Sequence, residues 1–247
     1  MLETNEENSP EESPQASNQE NNDLVQLNFE ETRVLGSLIE KELTTPEYYP
    51  MSLNGLVNAC NQKNNRLPKT NLDEDEVNQA IEGLRFKRLV HRVDLVGSRV
   101  PKFQHNAEKE IDLIKAERSL IAELLNRGPQ TSGELNNRAD RMFEFDGLQD
   151  VEDTLTDMME RSPSLVGIME ARPGQKESRW FHKLAPPPQL EELQDGSAVY
   201  VPTPDKRFDQ VDSVLSEFKD LKEEVEALRY QVRDLTNDFR EFRKQFE

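Results

Sequence analysis

The chain has 247 residues, of which 34% are hydrophobic and 32% are charged, and its formal net charge is −18. That length suits one or two domains, but the low apolar share excludes a packed core throughout the chain. A single cysteine excludes an internal disulfide, and the three histidines show no metal-ligand spacing, so we expect neither a structural metal nor a cofactor.

The acidity is unevenly distributed, which bears on the choice of partner. Residues 1–26 contain seven acids and no lysine or arginine, whereas residues 27–106 contain eleven acidic and eleven basic residues. Phosphates are bound by clustered Lys and Arg, so the charge of the whole chain does not exclude a nucleic-acid partner for the central segment. No secretory pattern and no run of about 18 apolar residues occurs, so we expect a soluble cytoplasmic protein.

The N-terminal segment, residues 1–26, is rich in Glu, Asn, Ser, Pro and Gln and has almost nothing to bury. Ordering it would cost backbone entropy without an apolar contact in return, so it is predicted to be a disordered acidic leader. Residues 185–204 are rich in proline and acidic residues and are predicted to form a stiff linker. Between these segments the pattern predicts two domains, residues 27–106 and residues 107–184.

The first domain is predicted to contain three helices and a hairpin. Apolar spacing places the first helix over Phe29–Leu43. Ser52 caps a short helix that runs through Cys60, and Asp73 caps a third helix over Glu74–Leu89. Two β-rich runs around a Gly-Ser turn then predict the hairpin.

The same order of elements recurs in the second domain. A helix is predicted over Ala107–Asn126, with Ile111 and Ile114 in its buried stripe, and Ser132 caps the next helix. Leu148–Arg161 forms the third helix, and a second hairpin turns at a Pro-Gly pair. Three helices followed by a hairpin, repeated, is the layout of two winged helix-turn-helix domains in tandem. The predicted fold class is therefore mainly α with small β-hairpins (α+β).

The last segment, residues 205–247, has the most regular pattern in the chain. Apolar residues occupy every a and d position of its heptads, and three g-to-e pairs are opposite in sign, namely Glu217–Lys222, Glu224–Arg229 and Asp238–Arg243. The pattern predicts a parallel coiled-coil homodimer, and a long helix packed back on its own domain is the alternative. The predicted dimer contacts are Val211, Val214, Phe218, Leu221, Val225, Leu228, Val232, Leu235, Phe239, Phe242 and Phe246.

Few residues suggest catalysis. Cys60 is the candidate nucleophile, but no motif supplies a base or a donor set for developing charge. Its position in phase with Leu53 and Leu56 predicts a small buried residue instead. The histidines are expected on strand faces, and no Gly-rich phosphate loop is present. We therefore expect a protein that is not an enzyme.

The remaining candidates are basic and amide side chains that could bind phosphate or base edges of duplex DNA. An ordinary solvated surface is the alternative. Both third helices open with acids, which repel phosphate, so winged helices that bind protein are a second interpretation. The candidates are Asn61, Gln62, Lys63, Asn65, Arg66 and Lys69 between the helices, Arg92, Arg99 and Lys102 at the first hairpin, Arg138 and Arg141 after the second domain's middle helix, and Arg172, Lys176 and Arg179 at the second hairpin.

Four stretches resemble the YceH-like family of bacterial proteins, namely Ile39–Arg66, Gly97–His105, Arg127–Leu135 and Arg172–Trp180. The resemblance covers about residues 27–184 and implies a tandem winged-helix fold, with DNA binding presumed from that fold. It adds Asn58 and Gln175 to the DNA-contact candidates. The acidic leader and the coiled-coil tail lie outside the resemblance, and Leu67 stands where relatives often have an acid.

The leading hypothesis is a non-enzymatic, dimeric DNA-binding protein, such as a transcriptional regulator, that uses the loop and hairpin of its first domain. The second hypothesis is a protein-interaction scaffold, in which the winged helices and the coil hold a bacterial protein partner. Neither hypothesis involves a membrane.

Overall fold

The computed structural model describes residues 24–94, 97, 100–171, 177–192 and 198–201, together with the single positions 225, 229 and 233. Within these residues the fold is mixed α+β, mostly helical, with small antiparallel sheets. The fold class predicted from the pattern is confirmed at that level. Residues 1–23 of the predicted leader lie outside the described residues.

The first half of the chain folds as helix, short strand, two helices and a hairpin. Strand β3 lies between β1 and β2 and is antiparallel to both. The two residues of β1 are too few to show an alternation pattern, so the sequence does not predict this strand. The elements are α1 (Phe29–Thr44), β1 (Met51–Ser52), α2 (Leu53–Cys60), α3 (Glu74–Phe86), β2 (Val90–Val93) and β3 (Lys102–His105).

Local caps explain where these helices begin. The Ser52 side chain accepts a hydrogen bond from the Gly55 amide at the start of α2, as predicted. Asp73 forms a reciprocal capping box with Glu76 at the start of α3. Helix α3 ends three residues before its predicted end, because Arg88 adopts a left-handed conformation with φ 61°.

The second half begins with a short helix and then repeats the order of three main helices and a hairpin. Gln130 and Trp180 form an isolated antiparallel bridge. This bridge corresponds to the pairing of β1 with β3 in the first half. The elements are α4 (Ala107–Glu110), α5 (Lys115–Arg127), α6 (Ser132–Ala139), α7 (Leu148–Glu160), β4 (Val166–Met169) and β5 (Arg179–His182).

Three predictions for the second half are wrong in detail. The helix predicted over Ala107–Asn126 is broken between α4 and α5, where Asp112 has φ 54°. Ile114 lies in that break and is 61% exposed instead of buried. Thr131, not Ser132, caps α6, because its hydroxyl accepts from the Glu134 amide while the Glu134 carboxylate accepts from the Thr131 amide.

The segment predicted as a stiff linker contains two paired strands. Strands β6 (Gln189–Glu192) and β7 (Ala198–Val201) pair antiparallel, with Gln189 opposite Val201. The proline and acidic content did not predict these two strands, and the role of the segment as a linker stays a prediction.

The two halves share one buried apolar cluster that includes residues from both. Helices α1 and α5 cross closely at Gly36, where an added Cβ would lie 2.8 Å from the Cβ of Leu125. The ends of the folded region also meet, because the Leu27 amide donates to the Leu184 carbonyl at 2.7 Å. None of the helices among the described residues is long and apolar enough to cross a bilayer.

Candidate functional site

The segment between α2 and α3, residues 61–73, is called the α2–α3 loop below, and Asn61 closes it. The Asn61 side chain donates from Nδ2 to the Leu72 carbonyl at 2.7 Å and accepts from the Leu72 amide at 2.8 Å. The Thr70 hydroxyl donates to Asn61 Oδ1 at 3.1 Å. Asn61 was a DNA-contact candidate, but these bonds occupy both ends of its amide and make it a clamp that fixes the loop.

Arg66 lies inside the protein, only 4% exposed, and its guanidinium is directed away from solvent. Its Nε donates to the Ala59 carbonyl at 3.0 Å, and its Nη1 lies 2.5 Å from Oε2 of Glu40. A phosphate outside the protein cannot reach this group, so the interpretation of Arg66 as a DNA contact is wrong. The physical reason is the buried carboxylate of Glu40, which supplies the counter-charge that a surface phosphate was expected to supply.

Arg33 of α1 supports the loop from a second direction. Its side chain is buried and donates from Nη2 to the Pro68 carbonyl at 2.8 Å, while Nη1 lies 3.5 Å from the Cys60 carbonyl. Burial, together with the nearby charge of Arg66, lowers the pKa of Arg33 to about 10. The guanidinium still carries its charge at neutral pH, since that value lies well above 7.

Cys60 is buried and free, as the helical phase predicts. Burial raises the pKa of its thiol, outweighing the hydrogen bond with Ser37 and the charges of Arg66 and Arg33, which lower it. A thiol that is both enclosed and hard to ionise is poorly suited to nucleophilic attack.

Beneath the α2–α3 loop lies a set of charged side chains, called the buried charge network below: Glu40, Arg66, Glu123, Arg127 and Arg141. Glu40 and Glu123 are each 1% exposed at the side chain. Arg141 joins them, with Nη1 3.2 Å from Glu40 Oε1 and Nη2 2.7 Å from Glu123 Oε1. Arg127 Nε lies 2.9 Å from Glu123 Oε2.

The electrostatics of this network favour the charged form of Glu40. Burial alone would raise the pKa of Glu40, but the charges of Arg66, Arg141 and Lys41 outweigh that effect and hold the pKa below its usual value. The pKa of Arg141 is raised in turn, because its contacts with Glu123 and Glu40 outweigh burial. Glu40 and Arg141 therefore compensate each other's charge in a place where a lone charge would be costly.

Two lysines remain on the outer surface of the loop. Lys63 and Lys69 are exposed, and neither makes an ion pair within the part of the chain that the structure describes. Asn58 at the end of α2 is exposed too and donates to Asn54 Oδ1 at 2.9 Å, while Gln62 and Asn65 are half-buried. Leu67 at the crest of the loop is 47% exposed.

The first hairpin contributes less than the sequence suggests. Lys102 is half-buried and pairs in register with Ser52, so it lies beside the N-terminal end of α2. Helix α2 has eight residues, which separates that end from the loop by about 12 Å at 1.5 Å per residue. Arg92 is exposed but lies 2.9 Å from Asp94, and Arg99 lies outside the described residues.

The candidate cations of the second half that the structure describes are all held in ion pairs. Arg179 lies 2.7 Å from Glu134 and donates to the Pro129 carbonyl. Arg138 also pairs with Glu134, and Arg141 belongs to the buried charge network. Arg172, Gln175 and Lys176 lie outside the described residues. Of the candidate cations that the structure describes, Lys63 and Lys69 are thus the exposed ones without an ion pair.

A family model described as "Protein of unknown function, DUF480" matches residues 27–175, more than half of the chain. The chain belongs to this family. Its resemblance to YceH-like proteins is consistent with that membership. A UPF0502 protein of Koribacter versatilis is 52% identical over 160 residues, which cover 65% of this chain and 74% of the relative.

Other relatives match almost throughout. UPF0502 proteins of Geotalea uraniireducens and Pelobacter propionicus are 44% and 42% identical over 223 and 228 residues, covering 90% of this chain and 99% and 98% of the relatives. Because 223 of 247 residues are aligned, the first match must extend past residue 204 into the tail. The family model ends at residue 175, as expected, but this relative shares part of the tail.

In the tail, residues 205–247, the structure describes only positions 225, 229 and 233. Val225, a predicted dimer contact, is helical and 41% exposed. The other predicted contacts lie outside the described residues, namely Val211, Val214, Phe218, Leu221, Leu228, Val232, Leu235, Phe239, Phe242 and Phe246. The coiled-coil dimer stays a prediction.

Acidic first turns flank the candidate site. Helix α3 opens with Glu74, Asp75 and Glu76, all exposed, directly after the α2–α3 loop. Helix α7 opens with Asp150 in its first turn. These carboxylates repel phosphate, so they limit how deeply either helix could enter a DNA groove.

Sequence reasoning missed Glu40, Glu123 and Arg127. A signal was present for Glu40, since it follows Leu38 and Ile39 of the predicted buried stripe and thus lies on or beside the inward face of α1. No comparable signal identifies its partners, because they come from elsewhere in the chain. The described residues contain no cluster of three or more His, Cys, Asp or Glu suited to a metal ion.

Proposed function

We propose that this protein is a non-enzymatic DNA-binding protein built from two winged helix-turn-helix domains, and that it contacts the phosphate backbone through the α2–α3 loop. The order of elements supports the domain assignment, since each half has three main helices followed by a hairpin, and a short extended segment pairs with that hairpin. In such domains the segment between the second and third helices lies close to the duplex.

The observation that carries the proposal is an exposed loop held by a buried framework. Asn61, Arg33 and Arg66 fix its backbone from inside, while Lys63 and Lys69 extend outside without an ion pair among the described residues. A loop that is already ordered loses little conformational entropy on binding. Lysines on such a loop suit phosphate contacts, which are point-charge interactions.

The tail is proposed to join two copies through a parallel coiled coil. A dimer would present two α2–α3 loops to one duplex, and linking two weak contacts raises the effective affinity without any new contact. This arrangement suits a regulator that recognises paired sites.

The test is fluorescence anisotropy of a mixed-sequence duplex titrated with the full chain at about 50 and 200 mM salt, where binding through several phosphates differs by orders of magnitude. The variant Lys63→Gln/Lys69→Gln should bind more weakly and flatten the slope of log K against log salt by about 1.8, or about 0.9 for each lost phosphate contact. Lys109→Gln is the matched control, since Lys109 is also an exposed lysine but lies on α4. Equal affinity of the double variant and the parent would overturn the proposal.

A protein-interaction scaffold is the second candidate function. It is favoured by the exposed acids that open α3 and by exposed Leu67, because acids repel DNA but suit a basic protein surface. The variant Glu74→Gln/Asp75→Asn separates the two functions. If the loop binds DNA, removing these acids strengthens DNA binding. If the protein is a scaffold, mass spectrometry should identify a partner in complexes isolated with the parent, and the same change should release that partner. Neither the parent nor the variant should then bind DNA.

A further inference from the structure

We propose that the second half of the chain positions the α2–α3 loop, and that Glu40 is the positioning residue that transmits this effect. The inference rests on the proposed function, because it assigns the second half a role in the first half's contact with DNA. In this arrangement the second winged helix does not bind DNA independently but holds the DNA-binding loop of the first in position.

Two direct contacts join the loop to the end of α5. The Leu67 amide donates to the Asn126 carbonyl at 2.9 Å. Arg127 donates from Nη2 to the Asn65 side chain. Asn65 adopts a left-handed conformation, with φ 63°, so a second-half side chain contacts the loop at its sharp turn.

Glu40 supplies the third link and the most central one. Its Oε2 accepts from Arg66 of the loop at 2.5 Å and from Asn126 of α5 at 3.3 Å. Its Oε1 lies 3.2 Å from Arg141, which follows α6. One buried carboxylate therefore connects the loop to two separate segments of the second half.

The charge of Glu40 matters because Arg66 is buried. If Glu40 were neutral, the guanidinium of Arg66 would lack its counter-charge in an enclosed site, and moving the loop outward would relieve that cost. The loop would then sample several conformations, and Lys63 and Lys69 would no longer be held in one arrangement. Affinity would fall although no DNA-contacting group had changed.

For Glu40→Gln, this role predicts a change in DNA affinity opposite to the one expected from charge alone. Charge alone predicts that removing an acid from a DNA-binding protein strengthens binding, since one repulsive charge is lost. Loss of the positioning by Glu40 should instead weaken DNA binding. We expect DNA binding of Glu40→Gln to be weaker than that of the parent by about tenfold. Glu82→Gln is the matched control, because Glu82 is an exposed acid paired with Arg85 on α3, and its loss should leave binding unchanged or slightly stronger.

Hydrogen–deuterium exchange on the full chain without DNA tests the coupling independently. Peptides that cover residues 62–72 should exchange faster in Glu40→Gln than in the parent, by on the order of tenfold, while peptides from β4 and β5 keep their rates. Glu82→Gln should match the parent in both regions. Unchanged exchange in the loop, or tighter DNA binding by Glu40→Gln, would overturn the proposal.

A second variant decides the matter if Glu40→Gln does not fold. Arg141 is 36% exposed at its side chain, so Arg141→Gln disturbs the network from its outer edge. It should also accelerate exchange in residues 62–72, although it lies far along the chain from them. If the loop loosens as expected but the parent shows no salt-dependent DNA binding, the positioning role stands and the proposed function fails.

Discussion

Arg66 Nη1 and Glu40 Oε2 lie 2.5 Å apart, and both side chains are almost completely buried. Removing one partner of a buried pair leaves an uncompensated charge, which typically costs about 3 to 5 kcal/mol. We therefore expect Arg66→Met to lower the free energy of unfolding by about that amount. Urea denaturation followed by circular dichroism measures it.

The same pair defines a control and a coupling test. Arg85→Met removes an exposed ion pair with Glu82 and should cost about 1 kcal/mol or less. The double variant Arg66→Met/Glu40→Leu should cost clearly less than the sum of the two single changes, since neither charge is then left alone. Strict additivity of the two single changes would contradict the close coupling of these residues.

The crossing of α1 and α5 predicts a strong size limit at Gly36. A Cβ added there would lie 2.8 Å from Leu125 Cβ and 3.1 Å from Asn126 Oδ1, so the two helices must move apart. We expect Gly36→Ala to destabilise the protein by about 1 to 3 kcal/mol. Thermal unfolding of the full chain measures the change.

Gly133 provides the comparison for Gly36. It lies in the first turn of α6, where an added Cβ has only Thr131 Oγ1 nearby, at 4.0 Å. Alanine favours a helix over glycine by up to about 1 kcal/mol, so Gly133→Ala should be neutral or stabilising. If both variants unfolded at the same temperature, the close approach at Gly36 would not limit packing.

The enclosed thiol of Cys60 predicts slow chemistry in the native state. Because burial raises its pKa, little thiolate exists at pH 8, and reagents must wait for the protein to open. Modification by a disulfide reagent should be slower by at least about a hundredfold in buffer than in concentrated urea, where the thiol is free to ionise. Equally fast labelling under both conditions would show that the thiol is accessible.

Glu134 predicts a defined acid sensitivity. Burial raises its pKa, but hydrogen bonding with Thr131 and the charges of Arg179 and Arg138 outweigh that effect and lower it below the usual 4.5. A lowered pKa in the folded state contributes stability that is present above the unfolded pKa and is lost as pH falls through the folded value. Glu134→Gln keeps a side-chain oxygen for the Thr131 amide but loses the charge.

The difference in stability between the parent and Glu134→Gln should therefore depend on pH. We expect about 1 kcal/mol at pH 7, since the two ion pairs are partly exposed, and a steady decline below pH 4.5. Urea denaturation from pH 7 to pH 3 measures it. Glu82→Gln serves as the exposed control, and a constant difference for Glu134→Gln across that range would contradict the ion pairs with Arg138 and Arg179.

The sequence by itself determined the features that depend on neighbouring residues. The caps by Ser52 and Asp73, the first helix at Phe29 and the alternation of helices with hairpins were all predicted, because a cap or a helical stripe involves groups three or four residues apart. The buried state of Cys60 followed from the same periodicity. Family membership agrees with the stretches that resemble YceH-like proteins.

Only the tertiary structure decided which charges are exposed. Lys63 and Arg66 lie three residues apart in a polar run, yet the lysine faces solvent and the arginine is buried. Arg66 is buried because Glu40, 26 residues away in the sequence, supplies a counter-charge inside the protein. Arg141, 101 residues from Glu40, completes that site. A buried charge is stable only among partners that the fold assembles, and no local pattern identifies partners at such separations.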